Sequence, residues 1–427
     1  VVHSRIDQAN QLALDRIGET RVFWRDVSLA EQKIPWLRKY RLLHAGPPLV
    51  WNEMCGAMQN AVLGAILFEG WANDLDEARN LAQEIEFDSA HSHQALGPMA
   101  GIISPSMPVL ILENQAFGHQ TFATINEGLG KTLRFGANSP EVINRLHWLR
   151  NTLAPMLQQA LEFGNPVDIS SIVARAVQRG DECHNRNKSA TSLLIRRLAP
   201  WLVRTSFSRE QVAEALLFLD SNDHFFLNLS MAASKATLEG IVGLRDCTLV
   251  SCMAGNGVQF AIQVAALGHR WFPVTAPLAQ GRYFEGYSVR DANPVMGDSY
   301  ISEAAGLGGV AMAAAPAITS FVGGTTQDAV GTTLEMYAIT AGEHPYYKIP
   351  TLNFRGTPLG IDIRKVVDLG ITPVINTGIA HHLPGVGQIG AGIFRAPIQC
   401  FQDAVQEFQT GTPNATGSYQ KEKERET

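Results

Sequence analysis

Six polar stretches built around glycine constrain this chain more than any other feature. They are "LLHAGPPLVWNEMCGAM" (42–58), "HSHQALGPMAGIISPSMPV" (91–109), "NEGLGKTLRFGA" (126–137), "RGDECHNRN" (179–187), "DANPVMGDSYISEAAGLGG" (291–309) and "HHLPGVGQIGAG" (381–392). Much of the chain's complement of 38 glycines sits in such short loops, beside Asp, Asn, His or Lys. Glycine lets backbone N–H groups approach a ligand closely, and a helix starting just after the loop adds a field that favours anions. None of the loops is a nucleotide fingerprint. "GLGKT" (128–132) supplies only the end of a P-loop, and no strand–GxGxxG–helix unit is followed by a ribose-binding acid.

Between the loops the pattern divides in three. Residues 1–138 read as an N-terminal α/β domain, with the short strand "TRVFW", a buried helix after the Gly-Pro turn of 42–70, a surface helix at 73–85 capped by Asp74, and the apolar strand "MPVLILENQ" (107–115). From 139 to 221 apolar residues recur at helical spacing (Val142, Leu146, Leu149, Leu153, Leu157) with almost no strand signal, so a helical domain is expected. Residues 222–408 return to glycine-rich α/β character, with a capped helix at 222–241 and a strand at 247–257. The polar stretch 409–427 reads as a disordered tail. The expected fold class is α+β: two glycine-rich α/β domains with a helical domain between them.

Composition narrows the function. A net charge of −6 and a pI near 6.1 give no support for a nucleic-acid or membrane-surface partner. No apolar run approaches the roughly 18 residues of a membrane span. Five scattered cysteines, with no C-x-x-C pair and no visible signal peptide, suggest reduced thiols and a cytoplasmic setting.

The loops offer candidate side chains. Glu127, Lys131 and Arg134 surround two glycine turns; Lys131 and Arg134, three apart, would share a helical face and clamp a phosphate or carboxylate, or be solvated residues of a surface turn. The 179–190 stretch packs Asp181, Glu182, His184, Asn185, Arg186 and Asn187 together, with His184 and Arg186 as substrate contacts; Cys183 beside His184 also raises a thiolate or metal ligand, although adjacent side chains point apart. His91 and His93 have metal spacing on a strand but no third ligand, and His381–His382 suit hydrogen bonding or proton transfer. In 290–316, Asp298 or Ser299 would cap the next helix, while Asp291, Asn293 and Glu303 have no such structural reason to be there. These carboxylates would orient an amide, hold a cationic residue or coordinate a divalent cation such as magnesium. Asn256, beside Gly257, joins the substrate-binding set.

Read together and in order, the six loops resemble the YlbE/YahG-like bacterial family, long catalogued as a domain of unknown function, over residues 8–408. Its AllG-type branch is associated with oxamate carbamoyltransferase of anaerobic allantoin breakdown. The resemblance implies phosphorolysis of oxalurate to oxamate and carbamoyl phosphate, in an assembly with an FdrA-type subunit similar to acyl-CoA synthetases and a third subunit. Self-association is also expected. No dedicated metal or other cofactor is implied. His184 or His93 would act as general acid, with Arg186 beside it. Lys131, Arg134, Glu127, Asn187, Asp291, Asn293, Asp298, Ser299, Glu303 and Asn256 would hold the small anion. Two alternatives remain open: a non-catalytic structural subunit, and an enzyme for another small carboxylate or amide.

Overall fold

In the computed structural model, which describes residues 2–411, the strands run in chain order as follows. The first seven are β1 (Val22–Leu29), β2 (Arg41–His44), β3 (Glu86–Ser89), β4 (Ala95–Leu96), β5 (Pro108–Asn114), β6 (Gln120–Thr124) and β7 (Val167–Asp168). Next come β8 (Val250–Asn256), β9 (Gln259–Val264), β10 (Phe272–Thr275), β11 (Gln280–Tyr283) and β12 (Met296–Gly297). The last four are β13 (Thr340–Ile349), β14 (Arg355–Ile361), β15 (Val374–Ala380) and β16 (Gln388–Arg395). The fold is α+β, its strands sharing the chain with helices throughout.

The apolar run at 107–115 forms the middle of the largest sheet, ordered β4-β6-β5-β1-β7. It is buried along nearly its whole length, as its composition requires. β1 and β5 run antiparallel from Val22↔Asn114 to Leu29↔Pro108, with one irregularity between Trp24 and Asp26. A second sheet is ordered β10-β9-β8-β12 and a third β11-β16-β15. The helix Phe225–Glu239 packs against β1, β5, β6 and β8, and so joins the first sheet to the second. Its residues from Phe225 to Ala236 are all buried, which explains why the segment lacks a polar face.

Between its connecting loops the stretch 139–221 is helical, with one strand. β7 adds two residues to the edge of the first sheet, pairing Phe23↔Asp168 and Trp24↔Val167. A two-residue strand is too short to leave a periodic signal. The helix Ala154–Phe163 packs on β1, and a single cluster of buried apolar side chains extends from Ala13 to Ala404. The glycine loops pack mainly on this core, while Leu43, Ala95, Ile103 and Val109 belong to a second, smaller cluster. Asp74 caps the helix Leu75–Leu81 by accepting the N–H groups of Asp76 and Glu77. The last helix, Ile398–Thr410, runs two residues beyond the expected boundary at 408. The rest of the expected tail, 412–427, lies outside the described residues.

Candidate functional site

The loop 180–187 folds around its own acid. The Glu182 carboxylate accepts the backbone N–H groups of His184, at 3.1 Å, and of Arg186, and the Asn376 side-chain amide at 3.2 Å. Cys183 adopts a φ of +60°, a left-handed conformation that costs a non-glycine residue about 1 kcal/mol or more and persists only where its surroundings impose it. The turn brings the His184 ring against Glu303, from the short helix Ile301–Ala304, with Nδ1 2.8 Å from Oε1. That oxygen also accepts the N–H groups of Gly309 and Asn376. Here glycine is obligatory: a Cβ on Gly308, at φ +60°, would lie 2.3 Å from Glu303 Oε1 and 3.0 Å from the His184 Cβ. The Glu303 carboxylate raises the pKa of the His184 imidazole despite its burial. Burial pushes Glu182 up to about 7.

The loop 126–137 is built the same way. Glu127 accepts the N–H groups of Leu133, at 2.9 Å, and of Arg134, at 3.2 Å. The Arg134 guanidinium donates twice to the Gly128 carbonyl, through Nε and Nη2. It is buried, which brings its pKa down to about 10, so it stays a cation at any physiological pH. Lys131 is exposed, because Thr132 between them is extended; the two bases do not share the helical face that their spacing suggested.

These two loops meet at a narrow cleft. Arg134, His184, Asn185, His224, Ser299 and Gln388 form its polar wall, and Met99, Phe135, Leu227 and Phe321 its apolar wall. His224 stands at the N-terminus of the central helix Phe225–Glu239, and its pKa is brought down to about 3 by burial and by the positive Arg134 and His184. The cleft therefore holds one permanent cation, one histidine biased toward its cation, one neutral histidine and two amide groups. That set suits a small anion that also carries an amide. Arg134 also borders a mostly apolar hollow, lined by Phe68, Ile102, Met107, Leu146 and Leu149 together with Glu127 and Asn228.

Of the expected residues, Arg134, His184 and Ser299 line the cleft. Glu303 and Asn187 reach it through His184: Glu303 holds the ring, and the Asn187 side chain donates to the His184 carbonyl. Arg186 is tied down behind, donating to the Gly180 carbonyl and 3.6 Å from Asp181. His93 is paired with Asp88 at 2.9 Å and packs on Trp36. Asn256 shapes the β8–β9 turn, accepting the N–H groups of Val258 and Gln259. Asn293 donates to the neighbouring Pro294 carbonyl, and Asp291 accepts the N–H and hydroxyl of Ser288 in a capping box.

Asp298 and Ser299 do not cap a helix; the helix Ile301–Ala304 has no side-chain cap. Asp298 instead clamps two other glycine loops, accepting the N–H groups of Gly46 (2.8 Å) and Gly97 (3.0 Å), with His91 Nε2 at 3.1 Å. His91 is raised to about 9, burial being outweighed by Cys252 and Asp298. Among the described residues no group of three or more His, Cys, Asp or Glu is arranged to hold a metal ion, and no helix is long and apolar enough to cross a membrane. Cys183 is buried, and its thiol pKa is pushed well up by that burial.

Three polar residues of the cleft lay outside the expected site set: Asn185, His224 and Gln388. Asn185 stood within a noted motif, and Gln388 within a loop whose histidines drew attention instead. His224 had one local signal, a histidine directly before a long buried helix.

The fold is that of an α+β protein whose glycine loops enclose a narrow polar cleft. The family model described as "Oxamate carbamoyltransferase subunit AllG" matches residues 85–299. The chain is 44% identical over 406 residues to the Escherichia coli K12 protein named oxamate carbamoyltransferase subunit AllG, covering 94% of this chain and 97% of that one. It is 43% identical over 403 residues to the uncharacterized E. coli K12 protein YahG, covering 94% and 85%. A crystal structure of a conserved protein of unknown function from Enterococcus faecalis V583 superposes with a TM-score of 0.94 at 42% identity, over 96% of this chain and 99% of that one. The chain belongs to the AllG family.

Proposed function

We propose that this chain is the AllG-type subunit of an oxamate carbamoyltransferase and that the Arg134–His184 cleft is its substrate site. The observation that carries the reading is the convergence of a buried guanidinium and a carboxylate-backed histidine on one small cleft, in a chain of this family. The reaction is oxalurate plus phosphate to oxamate plus carbamoyl phosphate. A phosphate oxygen attacks the carbamoyl carbon, the C–O bond forms, and the C–N bond to oxamate breaks. The leaving nitrogen takes a proton from His184, and the histidine regains one from the phosphate. Glu303 favours the charged imidazole and orients it through Nδ1, leaving Nε2 as the nitrogen that exchanges the proton. Arg134 holds the oxamate carboxylate or the phosphate, and the N-terminus of the helix Phe225–Glu239 adds its field.

An FdrA-type subunit and a third subunit complete the assembly in this reading. Purified chain combined with them should release carbamoyl phosphate from oxalurate and phosphate, and Arg134→Met or His184→Asn should abolish the release. Absence of carbamoyl phosphate in every combination of subunits rejects the reaction.

A further inference from the structure

The pairing of β13 with β14 is irregular between Glu343 and Lys348, and the irregularity re-aims residues 344–347. The backbone N–H groups of Tyr346 and Tyr347 turn back onto His344 Nδ1, at 3.2 and 3.1 Å. A ring nitrogen that accepts two N–H groups carries no proton, so the proton of this imidazole is on Nε2. His344 is 5% exposed, and its Nε2–H has no acceptor among the described residues. Buried N–H groups are nearly always paired, so this one calls for an acceptor.

The ring lines a hollow of about 100 Å³, with room for several water molecules or a small ion, and the exposed Tyr346 stands at its rim. Arg21, just before β1, lines it too. The Arg21 guanidinium lies 4.0 Å from the centroid of the Tyr346 ring and donates once, from Nη1 to the Thr20 carbonyl. It has no carboxylate partner among the described residues. Ser170, in the first turn of the helix Ile169–Val177, and Tyr347 add hydroxyls. Among the described residues no Asp or Glu lines the hollow. Asp168, whose charge acts on Tyr347, has its oxygens taken by the N–H and hydroxyl of Ser171. Burial, Lys348 and Arg21 bring the His344 pKa down to about 3, so the ring is a neutral donor.

One uncommitted guanidinium and one uncommitted imidazole N–H therefore meet in a space without carboxylates, with polar groups from three elements around it. A planar carboxylate is satisfied from one side, whereas a tetrahedral phosphate presents oxygens on every side. We propose that this hollow is a second anion site, separate from the Arg134–His184 cleft, which holds a phosphate group between the Arg21 guanidinium and His344 Nε2–H. The central helix joins the two places. His224 stands at its start in the cleft, and Thr237, in its last turn, lines the hollow roughly 20 Å away at 1.5 Å per residue. Arg16, donating to the Gly240 carbonyl at 3.1 Å, offsets the negative end of that helix.

Inorganic phosphate is the probe, titrated by calorimetry into the full chain carrying Arg134→Met, which silences the cleft. One phosphate per chain is expected to bind, and adding Arg21→Met should weaken it at least about tenfold, the loss of a charged hydrogen bond. Nitrogen NMR reads His344 itself: the proton should sit on Nε2, and that resonance should move as phosphate binds, in the wild type and in Arg134→Met alike. Glycerol phosphate as a second titrant distinguishes a free ion from the phosphate end of a larger ligand, and binding of either supports the site. If neither binds to Arg134→Met, or if Arg21→Met leaves the affinity unchanged, the proposal falls. The reading of the cleft is untouched by that result, because it is judged by carbamoyl phosphate release. Should Arg21→Met fail to fold, a His344 resonance that bound phosphate does not move overturns the proposal equally. Oxamate displacing phosphate from this site at equal concentration overturns the choice of phosphate.

Discussion

His184 Nδ1 lies 2.8 Å from Glu303 Oε1, with the two side chains 2% and 0% exposed. They are 119 positions apart in the chain, and each belongs to its own glycine loop. A buried ion pair of this kind gains little over an apolar pair, yet removing one partner is costly because the other charge is stranded. What the contact secures is the orientation and charge of one imidazole. That gives the first prediction. Glu303→Gln should destabilise the protein by about 3 kcal/mol in urea denaturation. It should also lower the His184 pKa, moving the imidazole NMR titration toward more acidic pH. A His184 titration that does not move would remove Glu303 from this role.

Gly308 makes that contact sterically permissible. Alanine there would place a Cβ 2.3 Å from Glu303 Oε1 on a backbone at φ +60°. Gly308→Ala should cost about 1–3 kcal/mol from the backbone alone. Displacing Glu303 should reduce ligand binding more than Gly268→Ala, where φ is also positive (+65°) but a Cβ meets nothing within 4 Å. Thermal melting and oxamate calorimetry on both variants separate strain from displacement.

Arg134 should carry most of the anion affinity. Its guanidinium is anchored on the Gly128 carbonyl through Nε and Nη2, so a lysine cannot reproduce the geometry. Loss of a charged hydrogen bond amounts to about 1.5–3 kcal/mol, or roughly a ten- to hundredfold weaker dissociation constant. Arg134→Lys and Arg134→Met should both show it for oxamate, whereas Lys131→Ala, at an exposed position, should change affinity by less than about threefold.

The contrast between those two bases shows what was legible in the sequence. Polar glycine loops are visible in one dimension, and so is the apolar β5, because each is a local property of composition. Which side chain of a loop turns inward is decided by contacts made far away. Asp298 resembled a helix cap because it precedes a helix, but its acceptors are spent on Gly46 and Gly97, more than 200 positions upstream. Asp291 looked surplus until its own Ser288 claimed it. His224 went unnoticed because a lone histidine before an apolar run reads as core; only the fold places Arg134 and His184 beside it.

The pH dependence of stability follows from the buried histidines. His224 and His344 have folded values near 3 against an ordinary value of 6.5, so folding favours their neutral forms. Their contribution is present above pH 6.5 and is lost as pH falls from there toward 3. Asp181, raised to about 6, and Glu182, raised to about 7, act in the opposite sense: folding favours the protonated carboxyl, and that contribution is lost as pH rises through those values. His91, raised to about 9, favours the charged form, and its contribution is lost as pH rises from about 6.5 through 9. Stability should therefore peak close to neutrality and decline on both sides. In urea unfolding measured from pH 4 to 9, His224→Gln should flatten the acid limb, because the residue that must take up a proton on unfolding is gone, and leave the alkaline limb unchanged. An acid limb as steep as the wild type's would mean that His224 is not held neutral in the fold.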